Sequence, residues 1–163
     1  MATKAGFEQS VYVLSTEPTG WPTAITATEV NAGVEIHEDL PNPVNFSGTT
    51  NSMDTSVIAS RQDRSEPGTL TLDTLSIEAF MRKGTDSVAI PALDDNTEYF
   101  LVKFEGGDIA DGDHGTPAAD DTCDAAKVVV GTKSEVDTPR GEPRRMAIPM
   151  EIADTIVREL DLT

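Results

Sequence analysis

Short runs of alternating apolar and polar residues, broken every few positions by glycine or proline, dominate the chain. Ile25 to Val30 is rich in Thr and Ile, and Gly33 to Glu38 sets Val34 and Ile36 against Glu35 and His37; both read as strands. Thr55 to Ala59 continues the series. Gly68 to Met81 is the longest alternation, and its parity changes midway. Leu70 and Leu72 are even-numbered, whereas Leu75, Ile77, Ala79 and Met81 are odd. A strand with a period of two cannot change faces without a bulge or bend, which places one near Asp73–Thr74.

Asp86 to Leu93 predicts a short helical turn capped by Asp86, with Pro91 limiting its length. Glu98 to Glu105, with Tyr99, Phe100 and Phe104, reads as a central strand. Phe100, Val102 and Phe104 share a parity and are expected to face the interior with Leu70, Leu72, Val128 and Val130. Lys127 to Thr138 reads as one strand, with Val128, Val130 and Val136 opposite Lys133, Glu135 and Asp137. Met146, Ile148, Met150 and Ile152 alternate again. The tail stays open: Ile152, Ile156 and Leu160 have helical spacing, while Thr155-Ile156-Val157 favours a strand. The turn spacing predicts a mainly β domain rather than a helical bundle, and no repeat of 20 to 50 residues is visible.

Charge changes the picture of partners. The 163 residues carry a formal charge of −17, with a pI near 4.2. Such acidity argues against nucleic-acid binding, which needs clustered Lys and Arg, and against an anionic membrane surface. No run approaches the roughly 18 apolar residues of a membrane helix, and no apolar core of a signal peptide is seen. The lone Cys123 allows no internal disulfide and fits a reducing cytoplasm. Ten acidic residues and one basic residue lie between Asp94 and Asp124. Within that stretch, residues 106–124 read as a long exposed acidic loop.

Candidate chemistry is sparse. Nucleotide-binding loops, the G-x-S-x-G elbow and H-E-x-x-H are missing from the sequence. His37 is expected at the surface. Cys123 sits among Asp120, Asp121 and Asp124, whose charges oppose a reactive thiolate. Asp108, Asp111 and Asp113 resemble the start of a calcium loop, but Thr116 and Thr122 stand where an EF-hand needs Gly and Glu. Carboxylate pairs such as Glu35 with Glu38, or Asp94 with Asp95, lack an aromatic cleft, so a glycosidase is not indicated. The expectation is a chain with no catalytic, cofactor or metal residues.

The order of features carries more. Ala27 to Ile36 is followed by a polar loop with Phe46-Ser47-Gly48, the Thr55–Arg64 strand, the turn Glu66-Pro67-Gly68 and a Thr-rich strand. Then come a short helical turn, Glu98 to Gly106, the acidic loop, a valine strand, the polar turn Pro139 to Arg145 and a final strand. Over residues 25–152 this resembles the major tail tube protein of long-tailed (siphovirus-like) phages, particularly those of actinobacterial hosts. The resemblance implies a β-sandwich or half-barrel with one short helix, long loops and terminal arms at 1–24 and 153–163. It further implies self-assembly as hexameric rings stacked into a virion tail tube, made in the host cytoplasm and contacting tape-measure, terminator and distal tail proteins. DNA would transit the lumen without specific binding, with no membrane and no cofactor involved.

Two sets of residues follow. The segment 41–52 is expected as a poorly ordered inter-ring loop, with Asn45, Phe46, Ser47, Gly48, Thr49, Thr50 and Asn51 as contacts. The lumen candidates are Thr69, Thr71, Asp73, Lys133, Glu135, Asp137 and Glu151, because their strands set polar residues against apolar ones; the outer tube surface is the alternative for the same face. Rival readings are another oligomeric β-virion protein (a tail terminator or capsid decoration protein), a carbohydrate- or calcium-binding β-module, and acidity that merely reflects a halophilic host.

Overall fold

The computed structural model describes residues 9–54, 65–72, 74–82, 87–105 and 115–163. In chain order the elements are β1 (Gln9–Leu14), α1 (Ala27–Asn31), β2 (Val34–Glu35), β3 (Gly48–Asp54), β4 (Ser65–Leu72), β5 (Thr74–Phe80), α2 (Ala89–Ala92), β6 (Glu98–Glu105), β7 (Thr122–Val130), β8 (Ser134–Val136) and β9 (Arg145–Asp161). A single 3-10 turn spans His37–Asp39. Seven strands form one antiparallel sheet in the order β2-β1-β6-β7-β9-β5, with β8 also paired to β9. Among the described residues, strands β3 and β4 pair only with each other, as a separate hairpin. The mainly β expectation holds.

Burial on both faces explains the centre of the sheet. One cluster joins Val11, Val13, Tyr99, Leu101, Val128, Val130, Ile148 and Met150 with Leu75, Ile77 and Ala79. Strands from β1 at one side to β5 at the other feed this single cluster, so the sheet curves around it. Ile36, Val44, Phe46, Ala89 and Leu93 close it. On the other face lie Tyr12, Leu14, Phe100, Val102, Phe104, Cys123 and Ala125, covered by Ile25, Val30, Leu162 and Trp21. Phe104 meets Tyr12 edge-on, 5.9 Å between ring centroids.

The interior expected for Phe100, Val102 and Phe104 is real but differently composed. Tyr99 pairs with Val128 and Leu101 with Ala126, so Val128 and Val130 share the face of the odd-numbered β6 residues. Phe100 and its mates therefore point the other way, under α1. The side chains of Leu70 and Leu72 lie outside the described residues.

Several local expectations are corrected. Ala27–Asn31 is helix, not strand. Thr26 and Glu29 form a capping box, each side chain bonding the other's backbone, which outweighs the β-propensity of the Thr-rich run. The expected single helix thus becomes two short ones. Residues 9–14, inside the segment read as an N-terminal arm, are a fully buried strand. Residues 153–161, read as a C-terminal arm, complete β9. Strand geometry wins over helical spacing because Ala125, Ala126 and Val128 supply ladder partners to Val157, Ile156 and Ile152. Beyond it, Leu162 is 1% exposed and Thr163 donates to Ile25 O at 3.1 Å. Of the expected strand Gly33–Glu38, two residues remain; Val34 is 41% exposed and Ile36 is buried.

The expected strand from Lys127 to Thr138 is broken at Gly131. Pro149 on β9 lies opposite the break. Its carbonyl accepts from Gly131 N at 2.7 Å, so the side of β9 on which Pro149 has no N–H is the gap between β7 and β8, where no ladder donor is needed. A Cβ on Gly131 would sit 3.3 Å from that carbonyl oxygen, which glycine avoids. The parity change after Leu72 is a change of sheet, from the hairpin to β5, whose Leu75, Ile77 and Ala79 are buried as expected. Asp73, Asp86 and the Thr55–Ala59 run lie outside the described residues. The start of α2 is capped by a different aspartate: buried Asp39 accepts from Val88 N at 2.6 Å and Ala89 N at 2.9 Å and pairs with Arg82 Nε at 2.9 Å.

Two predictions follow from these packings. Phe104→Ala removes a ring that is 1% exposed and should destabilise by about 3–5 kcal/mol, measured as a lower denaturant midpoint at unchanged slope. The second concerns Glu29, whose carboxylate accepts from Thr19 N and Thr26 N and is thereby lowered from 4.5 to about 2. A depressed carboxyl adds stability above its unfolded value and loses it as pH falls from about 4.5 towards 2. Glu29→Gln should therefore cost about 1 kcal/mol at neutral pH, and this difference from wild type should vanish in melts near pH 2.

Candidate assembly surfaces

Among the described residues, α1 and the Trp21 segment cover half of the sheet's outer face, and the other half is bare. The bare half belongs to β5 and β9, where Thr74 pairs with Glu151, Ser76 with Pro149, Glu78 with Ala147 and Phe80 with Arg145. Thr74, Ser76 and Glu151 are exposed, and the others are half-buried. Apart from Phe80, small and polar side chains thus stand where a second layer would otherwise pack. Arg145 is held by Glu78 at 3.0 Å and Glu142 at 3.1 Å. On the adjoining part of β7, the Lys127 ammonium meets Glu98 at 3.1 Å, and this contact holds its proton more tightly than usual. Both cations are neutralised in place.

The lumen candidates do not share one face. Glu151 lies on the bare face. Glu135 pairs in register with Met146, which has the parity of buried Ile148 and Met150, so Glu135 is on the opposite side. The strand break at Gly131 resets the parity that the sequence carried from Val130 to Val136. Glu135 instead bonds Arg144 at 2.6 Å, both side chains well exposed. Asp137 is exposed beyond the end of β8. Lys133 turns towards α2, donating to Ile90 O at 3.0 Å with Asp95 at 3.7 Å. Thr69 and Thr71 are in β4, with Thr71 opposite Thr49; Asp73 lies outside the described residues.

The expected loop 41–52 is partly core and partly strand. Val44 and Phe46 are buried at 1% and 4%, while Asn45, Ser47 and Gly48 are exposed. Thr49, Thr50 and Asn51 belong to β3. The segment thus comprises an anchored root and one strand of a hairpin. At the root, Val44 N donates to Gln9 Oε1 at 2.8 Å, and Gln9 Nε2 donates to Val44 O at 3.2 Å. Gln9 Nε2 also reaches Glu105 at 2.9 Å, as does buried Lys103 at 2.7 Å. The Lys103 ammonium lies 5.5 Å from the Phe46 ring centroid. Arg158 Nη2 donates to Phe46 O at 2.6 Å.

Other singled-out residues are structural. His37 Nδ1 lies 3.2 Å from Glu35 Oε1 in the 3-10 turn, half-buried rather than outward on a strand. Tyr12 donates to the same carboxylate oxygen; burial, then the Glu35 charge, pushes the phenol up to about 12. Cys123 is buried in β7. The far end of the acidic segment is not an exposed loop: Asp121 is 3% exposed, accepting from Ala118 N at 2.8 Å while its backbone pairs with Leu162. Asp108, Asp111 and Asp113 lie outside the described residues. What the sequence reading missed was the root, although Gln9, Lys103 and Arg158 stand out in hindsight as polar residues among strand residues.

Comparison with known proteins agrees with this geometry. Residues 7–160 match the family described as "Phage tail tube protein". No curated protein sequence matches the chain. The fold is similar to a chain in a cryo-EM structure of the anti-feeding prophage (AFP) baseplate, 6-fold symmetrised, with a TM-score of 0.58 and 9% identity over 97% of this chain and 98% of that one. A type six secretion system protein gives a TM-score of 0.41 and 12% identity over 90% and 80%. The protein is a structural component of the virion tail and not an enzyme: with the match spanning nearly its whole length, the chain belongs to the phage tail tube protein family.

Proposed function

We propose that the protein assembles as hexameric rings stacked into a tail tube, that the β3–β4 hairpin reaches a neighbouring ring, and that the bare face of β5 and β9 lines the channel through which DNA leaves. The observation that carries the reading is the bare face itself, continuous along the chain with the hairpin through Asp73. A conduit must not hold its cargo. DNA carries about one negative charge per 1.7 Å of axis and is retained by free cations. On and beside this face Arg145 and Lys127 are already paired with carboxylates. The sixfold symmetry of the similar baseplate structure supports a ring of the same order. Repulsion among copies of charge −17 is opposed by strand pairing and local ion pairs, and ring closure covers sheet edges that otherwise invite aggregation. Assembly takes place in the host cytoplasm, with tape-measure, terminator and distal tail proteins as the other partners.

Electron microscopy of the purified, concentrated protein should show tubes. Joining Thr49 to Thr71 through Asn-Gly should leave a folded, soluble protein that forms none; these two residues are opposite in register, so a two-residue turn fits. Normal tubes from that variant would remove the hairpin from ring stacking. For the channel wall, Glu151→Lys phage should eject DNA more slowly at low salt and recover at high salt. Glu135→Lys, on the opposite side of the sheet, should eject normally, and the reverse pattern would exchange the two faces.

A further inference from the structure

The hairpin leaves the body after Phe46 and returns to it at Thr74. Its return is fixed by the ladder that begins with Thr74 and Glu151. Among the described residues its exit pairs with no strand of the main sheet. Side chains hold it there, and one of them is Arg158, on the Phe46 carbonyl.

Arg158 reaches that carbonyl because β9 is locally distorted. Cys123 pairs with Leu160 and Ala125 with Val157, so the single residue Asp124 faces two residues of β9, Arg158 and Glu159. This is a β-bulge, a device that re-aims a side chain. Glu159 takes a φ of +51°, a left-handed conformation that a residue with a Cβ adopts at a cost. Asp124 holds the bulge in place: its Oδ1 accepts from Glu159 N at 3.0 Å, and its Oδ2 lies 3.4 Å from Arg158 Nη1. A regular β9 would keep Arg158 within the alternation of the sheet.

We propose that the bulge aims Arg158 at Phe46 and makes it the positioning residue that sets the direction in which the hairpin leaves the body, and thus presents it to a neighbouring copy. Arg158 is half-exposed and belongs to neither hydrophobic cluster, so its loss leaves the body folded while the hairpin swings. Lysine cannot replace it, because one ammonium does not span both Phe46 O and Asp124 as the guanidinium fork does. The consequence for tubes rests on the assembly proposed above; the positioning itself is a property of the single chain.

The test is amide hydrogen exchange on the unassembled protein, with tube formation measured alongside. In Arg158→Ala, amides of 48–54 and 65–72 should exchange on the order of tenfold faster, the size of one lost charge-assisted hydrogen bond, while those shared by β5 and β9 stay as in wild type. Arg158→Lys should fall between, and Asp124→Asn should act in the same direction if Arg158→Ala does not fold. Arg140→Ala, a matched loss of charge at an exposed turn, should change neither exchange nor assembly. The concentration needed for tubes should rise with hairpin exchange across the series. Wild-type exchange of the hairpin in both Arg158→Ala and Asp124→Asn, or an equal effect of Arg140→Ala, overturns the proposal. If wild type forms no tubes, the assembly reading fails, and the exchange result still decides the role of Arg158.

Discussion

One strand has to satisfy three others. The seventeen residues of β9 pair with β5 through Arg145–Glu151, with β8 through Arg145–Ala147 and with β7 through Met150–Asp161. A strand so long must be twisted along its extended stretches. It also carries both irregularities on which the surface depends. Pro149 faces the gap between β7 and β8, and the bulge at Arg158–Glu159 turns a guanidinium towards the hairpin root. The bare face, the separation of Glu151 from Glu135 and the anchoring of Phe46 all descend from where β9 is regular and where it is not.

Much of the sheet was legible from residue patterns alone. Glu98–Glu105 reads as a central strand because aromatic and β-branched residues suit a pleated, covered surface. The parity change after Leu72 correctly marks a break, since no strand of period two can bury both Leu72 and Leu75 on one face. What failed did so for identifiable reasons. Val11-Tyr12-Val13-Leu14 has no alternation because both of its faces are buried, so a search for alternating runs passes over it. The Thr26-x-x-Glu29 box was readable as a helix start but was overshadowed by Thr and Ile propensity. The tail's helical spacing lost to tertiary pairing, which overrides local preference when ladder partners are available.

The candidate surface was less legible than the fold, because it depends on register. Whether Glu135 and Glu151 share a face turns on a strand break at Gly131 whose partner across the ladder, Pro149, is eighteen residues later in the sequence. A single period-2 count cannot carry parity across such a break. Phe46 illustrates the opposite difficulty: its neighbours Asn45 and Ser47 are exposed, so one buried ring in a polar stretch looks like a loop residue. Its partners Lys103 and Arg158, and Gln9 on the adjacent Val44, come from three strands far apart in sequence, and no local window contains them.

The position of β9 also has a consequence in time. It is the last strand to be synthesised among those described, yet it lies between β5 and β7 and joins them. Until residues 145–161 have left the ribosome, β5 has no sheet to join and one side of β7 is an open edge. The sheet therefore closes only after translation has passed β9, and its non-local pairing makes that step slow relative to helix formation. A chain cut before β9 is left with two unpaired edges and without the Arg158 contact at its hairpin root. Synthesis of β9 thus acts as a gate, separating polypeptides whose sheet is open from those whose sheet can close.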